Sequence, residues 1–227
     1  MATDADRWNE IHKKLPSDLA RHSYYAEHCE PHFPGAAFVC DLAGGLGFDA
    51  YFFVTKGHNV IILDISDYAL NHAHELAKIN NVANKIVIKK VDFGMGVIPM
   101  KDASVDIVYS RIGFNYFPSK ETRALLAEAY RILKIDGKAY IAFKSPEDKE
   151  DYDFLKKNAV ELEKNVFIEG EQIRSRFTKE QLEKMLSEIG ISDYTVSLFK
   201  EEREMGDDSN KFSKNALHLN EVYFKKL

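Results

Sequence analysis

The run Asp41-Leu-Ala-Gly-Gly-Leu-Gly47 overlaps the end of an apolar stretch, Ala36 to Leu42, and leads into a helix-like segment, Gly47 to Lys56. Gly44, Gly45 and Gly47 in such a turn let the backbone bend tightly and approach a ligand with no Cβ in between. Asp64 closes the next apolar run, Asn59-Val-Ile-Ile-Leu-Asp64, 17 residues beyond Gly47. In a parallel α/β sheet this puts a carboxylate beside the glycine turn, able to accept hydrogen bonds from both hydroxyls of a ribose. Together the two features point to an adenosine-bearing cofactor. They leave its identity open, because Gly45-Leu-Gly-Phe-Asp-Ala50 also fits G-x-G-x-x-A, and a nicotinamide-dependent oxidoreductase is one reading.

Other residues capable of chemistry are weaker candidates. Ser110 and Arg111 end a further apolar run, where this fold places ligands; Arg111 can reach an anionic group or form a surface ion pair. Phe114, Asn115, Tyr116 and Phe117 follow, as an apolar wall for a substrate or as core packing. His28-Cys29 and His32 offer metal-ligand types at close spacing, but a solvated helix end before Pro31 and Pro34 is the plainer reading, and no metal is expected. His72 and His74, two apart on a helix, face different directions. Tyr-x-x-x-Lys starts at Tyr116, Tyr130, Tyr140 and Tyr152, a repetition that deprives it of meaning. Arg174, Arg176 and His218 are expected to be solvated.

The elements that must position these residues alternate along the chain. Phe38–Leu42, Asn59–Asp64, Lys85–Val91, Val105–Ser110 and Gly137–Lys144 read as buried strands. Between them come helices at 47–56, from the cap Ser66 to about Asn80, and at Ser119–Leu133. That alternation implies an α/β doubly wound, mostly parallel sheet with helices on both faces. A segment at 1–34 with two short helices precedes the core at 35–145. The tail, 146–227, holds a charged stretch to about Phe177, a capping box at Thr178 and Gln181, and strand candidates Tyr194–Phe199 and Leu219–Lys225. Between those strands Glu201–Asn215 reads as a long mobile loop.

The 227 residues suit one α/β domain. With 36 acidic against 31 basic side chains the net charge is −5, a poor match for phosphate backbones, so no nucleic-acid partner is expected. No apolar run approaches the roughly 20 residues that span a bilayer. The polar start, Met1 to Trp8, lacks the features of a signal peptide; a cytoplasmic protein without membrane contact is expected. Cys40 reads as a buried reduced thiol and Cys29 as part of a polar segment.

Asp41-x-Ala43-x-Gly45-x-Gly47 resembles the first motif of class I S-adenosylmethionine-dependent methyltransferases, whose acidic strand end precedes G-x-G-x-G. Further segments resemble that family at its spacing. Asp64-Ile65-Ser66 looks like the ribose-binding acid with an apolar residue against the adenine, and Val91-Asp92-Phe93 like the adenine-side acid. Ser104 to Ser110 resembles the fourth-strand motif, which ends beside the methyl group, and Tyr130 to Gly137 the turn into the fifth strand. The resemblance covers about 36–145. It implies a Rossmann-like, seven-stranded sheet ending in an antiparallel hairpin. S-adenosyl-L-methionine is then the expected cofactor, held by Asp41, Ala43, Gly44, Gly45 and Gly47, with Asp64, Ile65, Asp92, Phe93, Ser110 and Arg111 around them.

The fullest resemblance within the family is to its tellurite- and thiopurine-type, small-molecule branch, through Trp8, Asp41–Ala50, Gly57-His-Asn-Val60 and Asp64-Ile-Ser66. Phe48 departs from that branch, which often has Arg there, and Ala43 from the wider family's Gly. A small-molecule methyl acceptor is implied, with an S, Se or Te centre as one possibility, and Trp8, Tyr24, Phe114 and Tyr116 as its expected contacts. Ser110-Arg-Ile-Gly113 replaces the Asn/Asp-Pro-Pro-aromatic sequence of enzymes that methylate base amino groups. The 1–34 segment is expected to act as a lid. A cofactor-binding protein without turnover is a second alternative, since this chemistry needs no signature base.

Overall fold

A computed structural model describes residues 3–15, 21–201 and 216–227. Helices α1 (Asp4–Lys13) and α2 (Tyr24–Cys29) lead to β1 (Phe38–Leu42). The core continues with α3 (Phe48–Thr55), β2 (Asn59–Asp64), α4 (Asp67–Ile79), β3 (Ile86–Lys90), β4 (Val105–Arg111), α5 (Ser119–Ile132) and β5 (Leu133–Lys144). The tail adds α6 (Lys149–Asn158), β6 (Val160–Glu163), β7 (Val166–Glu169), β8 (Gln172–Ser175), α7 (Lys179–Glu188), β9 (Tyr194–Glu201) and β10 (Leu217–Lys225).

The main sheet has seven strands in the order β3-β2-β1-β4-β5-β10-β9. From β3 to β5 all pairs are parallel, and β10 lies antiparallel between β5 and β9. Period-two alternation sends Cys40 and Leu42 of β1 into one apolar layer, with Leu63, Val108, Leu125 and Phe143. Val39 joins the other layer with Phe53, Ile62, Ile107 and Tyr109. Because both faces are covered, the central strands are apolar throughout, and polar groups collect at their ends. The chain crosses from one half of the sheet to the other between β1 and β4. The crevice outside their carboxyl ends is where such a sheet binds ligands.

The tail departs from expectation. The charged stretch before Phe177 folds into α6 and a second, antiparallel sheet, β6-β7-β8. Its strands are only four residues long and carry Glu161, Glu163, Glu169 and Arg174, and although Val160-Glu-Leu-Glu163 alternates, every residue of β6 is exposed, so no buried apolar run announces the sheet. α7 opens with the capping box at Thr178 and Gln181. Of the expected loop at 201–215, Glu201 ends β9 and is buried, and the remainder lies outside the described residues. No helix among the described residues is long and apolar enough to cross a membrane.

Candidate active site

After β1 the chain turns at Ala43 with a left-handed φ of +58°, and the Ala43 N–H donates to the Leu63 carbonyl at 2.8 Å. Gly44 then passes directly over Asp41: a Cβ there would lie 2.6 Å from Asp41 Oδ2 and 2.9 Å from Ile62 Cγ2. The N–H groups of Gly45 and Ser66 each donate to one oxygen of Asp64, both at 2.9 Å. The Asp64 carboxylate is thereby clamped at the mouth between β1 and β2. Asp41 sits deeper, 1% exposed, and its Oδ2 has no partner. Burial, and then the charges of Asp49 and Asp64, push its carboxyl well above the usual carboxylate range. Next along the rim, Ile65 is half-buried; the exposed Asp92 accepts the Gly94 N–H at 2.8 Å, and Phe93 turns into the core.

The end of β4 adjoins this turn. Ser110 is buried, and its hydroxyl donates to the Leu42 carbonyl at 2.8 Å, bracing β4 against β1. Arg111 is neither free nor in a surface pair. Its Nε donates to both oxygens of Glu201, at 3.1 Å, and its Nη2 to one of them. Glu201 is 3% exposed and also accepts the Tyr25 N–H at 3.2 Å, so this pair ties β4 to β9 and α2. Ile112 follows with φ +56°, a conformation a β-branched residue adopts at a cost of roughly 1–2 kcal/mol. Gly113 interlocks the two strained turns: a Cβ there would lie 2.6 Å from the Ala43 methyl and 2.9 Å from Ser110 Oγ.

Helix α1 runs across the mouth, opened by a capping box between Thr3 and Asp6. Asn9 Oδ1 accepts the Ser66 hydroxyl at 2.8 Å and the Tyr68 N–H at 3.0 Å. The His12 ring comes within 3.1 Å of where a Gly45 Cβ would stand. Trp8 packs T-shaped on Tyr116 at 4.6 Å, and Arg7 reaches the β7–β8 hairpin through Glu171 at 3.0 Å. His12 Nδ1 is buried without a partner; burial pushes its pKa down, with Asp64 pulling the other way. Nothing in the local sequence around Asn9 or His12 signals these contacts, since both belong to a polar, exposed-looking helix. In α2, Tyr24 is half-buried beneath the Arg21 guanidinium at 4.4 Å. It is Tyr25 that turns inward, fully buried and stacked on Tyr109 at 5.6 Å. Asp49 anchors that helix by accepting the Ser23 hydroxyl at 2.8 Å and the Tyr109 hydroxyl at 2.7 Å. Cys29 is not at a solvated helix end: it is fully buried, and burial and the Glu221 charge push its thiol pKa up. Among the described residues no group of His, Cys, Asp and Glu is placed to hold a metal.

The segment after β4 divides. Phe114 is fully buried and packs on Phe143 in the core, so it presents no surface to a ligand. Asn115 is 1% exposed and Tyr116 is half-buried. Beyond Tyr116 lies a polar cavity of about 220 Å³ that includes Arg174 and Arg176. Arg176, expected in solvent, is buried against Asp151; His218 Nδ1 contacts the Glu147 carbonyl at 2.8 Å.

Residues 39–137 match a family model described as a methyltransferase domain. The fold is similar to that of an S-adenosylmethionine-dependent methyltransferase from Methanosarcina mazei: 18% identity, 88% of this chain and 97% of that one covered, TM-score 0.70. It is also similar to a Burkholderia thailandensis 1,6-didemethyltoxoflavin-N1-methyltransferase with bound 1,6-didemethyltoxoflavin and S-adenosylhomocysteine: 15% identity, 97% and 84% covered, TM-score 0.70. A third similar fold is the putative methyltransferase of Haloferax volcanii in complex with the Trm112 methyltransferase activator: 19% identity, 98% and 96% covered, TM-score 0.68. No curated protein matches the sequence. The sheet order and these similar folds define a Rossmann-like architecture, and the stretch from β1 into β5 that carries the glycine turn is the part that matches the methyltransferase domain. The Methanosarcina mazei protein is S-adenosylmethionine-dependent. The chain's own geometry fits S-adenosylmethionine. Gly44 leaves room where a Cβ would collide, Asp64 is held ready at the mouth, and the unpartnered oxygen of Asp41 suits a cationic ligand.

Proposed function

We propose that the chain transfers the methyl group of S-adenosylmethionine to a small-molecule acceptor, with S, Se or Te centres as the first class to test. The observation that carries this reading is Asp41, a buried acid with an unpartnered oxygen, beneath a glycine turn whose neighbouring carboxylate, Asp64, is pinned by two amides. Asp64 would take the ribose hydroxyls, and Asp41 would face the cationic amino-acid end. Ile65, Asp92 and Phe93 would border the adenine. Ser110 and Arg111 act at one remove, holding the end of β4 in place against Leu42 and Glu201. When bound, the cofactor supplies an electrophilic methyl on a sulfonium, which an acceptor displaces in line. The protein's part is then to position that acceptor and exclude water, not to supply a dedicated base.

The 1–34 segment serves as a lid over the 35–145 core, with 146–227 closing the acceptor side. Supporting this are the contacts of α1 with Ser66, the Gly45 turn, Tyr116 and Glu171. Trp8 and Tyr116 would border the acceptor. The net charge of −5 favours a small acceptor over a nucleic acid.

Titration with S-adenosylhomocysteine, followed by calorimetry and by Trp8 fluorescence, tests the reading. Binding is expected with a fluorescence change, and Asp64→Ala should weaken it about 30- to 1000-fold, the loss of two charge-assisted hydrogen bonds. Unchanged affinity in a folded Asp64→Ala protein would overturn the assignment. Mass spectrometry of products from thiols, selenols, tellurite and amines then identifies the acceptor class.

A further inference from the structure

The cavity beyond Tyr116 has a charge balance that its own residues do not close. Three cations border it, Lys144, Arg174 and Arg176, against two acids, Asp151 and Glu169. Arg174 is matched by Glu169 at 3.0 Å. Asp151 must serve two partners at once, Lys144 Nζ at 2.7 Å and the Arg176 guanidinium, whose Nη2 lies at 3.1 Å. Among the residues that line the cavity one positive charge is left over, beside an Arg176 that is only 3% exposed. Burial, and then the adjacent Arg176 charge, lower the Lys144 pKa, with Asp151 and the nearby Asp148 pulling the other way.

A second observation is independent of the charges. Asn115 borders the same cavity, is 1% exposed, and its Nδ2 has no partner. Its Oδ1 accepts the backbone N–H of Lys144 at 2.9 Å, which fixes the rotation of the amide. The orphan atom is therefore a donor, and a buried donor left unpaired is destabilising unless something accepts from it. Excess positive charge and surplus donors both call for an acceptor-only group.

The location ties the cavity to the chemistry. Asn115 and Tyr116 belong to the turn that follows β4, and Lys144 is the last residue of β5. Tyr116 carries Trp8 of α1 against it, and the Arg174 guanidinium lies 5.3 Å from its ring centroid. A volume of about 220 Å³ equals about seven waters at roughly 30 Å³ each, enough for an oxyanion head and a few further atoms.

We propose that this cavity binds an oxyanion group of the methyl acceptor, a carboxylate or a phosphate, through Lys144, Arg176 and the free amide of Asn115. The acceptor is then a small acid whose charged end is held here while its other end faces the cofactor side past Tyr116. This inference rests on the methyl-transfer reading.

The test uses full-length protein dialysed into a buffer free of carboxylate and phosphate. Succinate and inorganic phosphate are titrated calorimetrically, with succinamide as the neutral control, and S-adenosylhomocysteine is titrated into the same samples. Two variants accompany the wild type. Asn115→Asp keeps an acceptor for the Lys144 N–H and converts the free donor into a carboxylate. Lys144→Gln removes the surplus charge and leaves the Arg176–Asp151 pair intact. At least one anion should bind the wild type more tightly than succinamide, and both variants should weaken it about tenfold or more. Whichever anion binds better identifies the head group. Absence of anion binding to the wild type, equal binding of succinamide, or undiminished binding in either folded variant would overturn the proposal. If either variant does not fold, the comparison of anion with succinamide in the wild type decides. Failure with S-adenosylhomocysteine binding intact removes this cavity's role alone. Loss of S-adenosylhomocysteine binding in the wild type removes the methyl-transfer reading itself.

Discussion

Asp41, under the glycine turn, is 1% exposed and leaves an oxygen with no partner, whereas Asp151, in the first turn of α6, receives Lys144 and Arg176 together. Their carboxyl groups move in opposite directions. Burial and two neighbouring acids raise Asp41. For Asp151 burial also raises the pKa, but the hydrogen bonds and charges of Arg176 and Lys144 outweigh it and hold the group at about 2. The crevice thus ends in one region short of positive charge and another short of negative charge. An unfilled electrostatic demand is a cost that a folded chain carries when a ligand is to meet it, and the sign of the demand names the ligand's charge.

The largest expected effect breaks the compensated side. Asp151→Asn leaves Arg176 buried with its main counter-charge gone and should cost about 3 kcal/mol, at the low end for a broken buried pair because Asp151 is 23% exposed. Urea denaturation measures it. Asp151 is depressed from 3.8 to about 2, so its contribution is complete above pH 3.8 and lost as pH falls through about 2. The variant should accordingly lose less stability than the wild type on acidification. A loss well under 1 kcal/mol at neutral pH would mean that the cluster is a solvated pair.

How much of this was legible from residue order alone differs between the two regions for a physical reason. The glycine turn, Asp64 and the strands that carry them follow from local patterning: apolar runs long enough to be buried, each closed by a polar residue. The compensated side is built from partners far apart in the chain, Asp151 on α6 with Arg176 just after β8, and Arg111 at the end of β4 with Glu201 at the end of β9. Arg176 reads as solvated until β8 carries it beneath α6. His12 and Asn9 escaped notice likewise, because their contacts depend on where α1 docks, not on its own sequence. Phe114 is fully buried and Tyr25, next to the half-buried Tyr24, turns inward, since a helical or 3-10 turn aims adjacent side chains in different directions.

On the uncompensated side the substitution should have the opposite sign. Asp41→Asn replaces a buried carboxyl that has an unpartnered oxygen with an amide of the same size and should stabilise the ligand-free protein by about 1–2 kcal/mol at neutral pH. Asp41 is raised above 3.8, so its stabilising share is fully present below that pH and disappears as pH rises toward the elevated value. The gain from the variant should therefore grow with pH above 3.8. S-adenosylhomocysteine affinity should fall in the same protein. Thermal melts across pH, with and without that ligand, separate the two effects. A variant less stable at every pH would show that Asp41 has a native partner and that the contrast with Asp151 is unreal.

The smallest effect concerns strain rather than charge, and it asks whether the cofactor side also stores conformational cost. Ala43 holds φ +58° directly after β1, and Ile112 holds φ +56° directly after β4. A left-handed conformation costs a residue with a Cβ about 1 kcal/mol relative to glycine, partly offset by glycine's greater freedom when unfolded. Ala43→Gly should therefore raise stability by up to about 1 kcal/mol, an effect small enough to need replicate denaturation curves. Gly113 makes the test sharper. Its Cα side faces the Ala43 methyl so closely that an added Cβ would stand 2.6 Å away, so Gly113→Ala alone should cost about 1–3 kcal/mol through overpacking. Removing the Ala43 methyl takes away that collision but leaves the contacts at 2.9 Å with Ser110 Oγ and 3.2 Å with the Leu42 carbonyl. The double variant should then recover part of the loss, with a coupling of about 1 kcal/mol in a double-mutant cycle. Additive effects would mean that the two turns relax independently, and the interlocking of β1 and β4 through Gly113 would have to be abandoned.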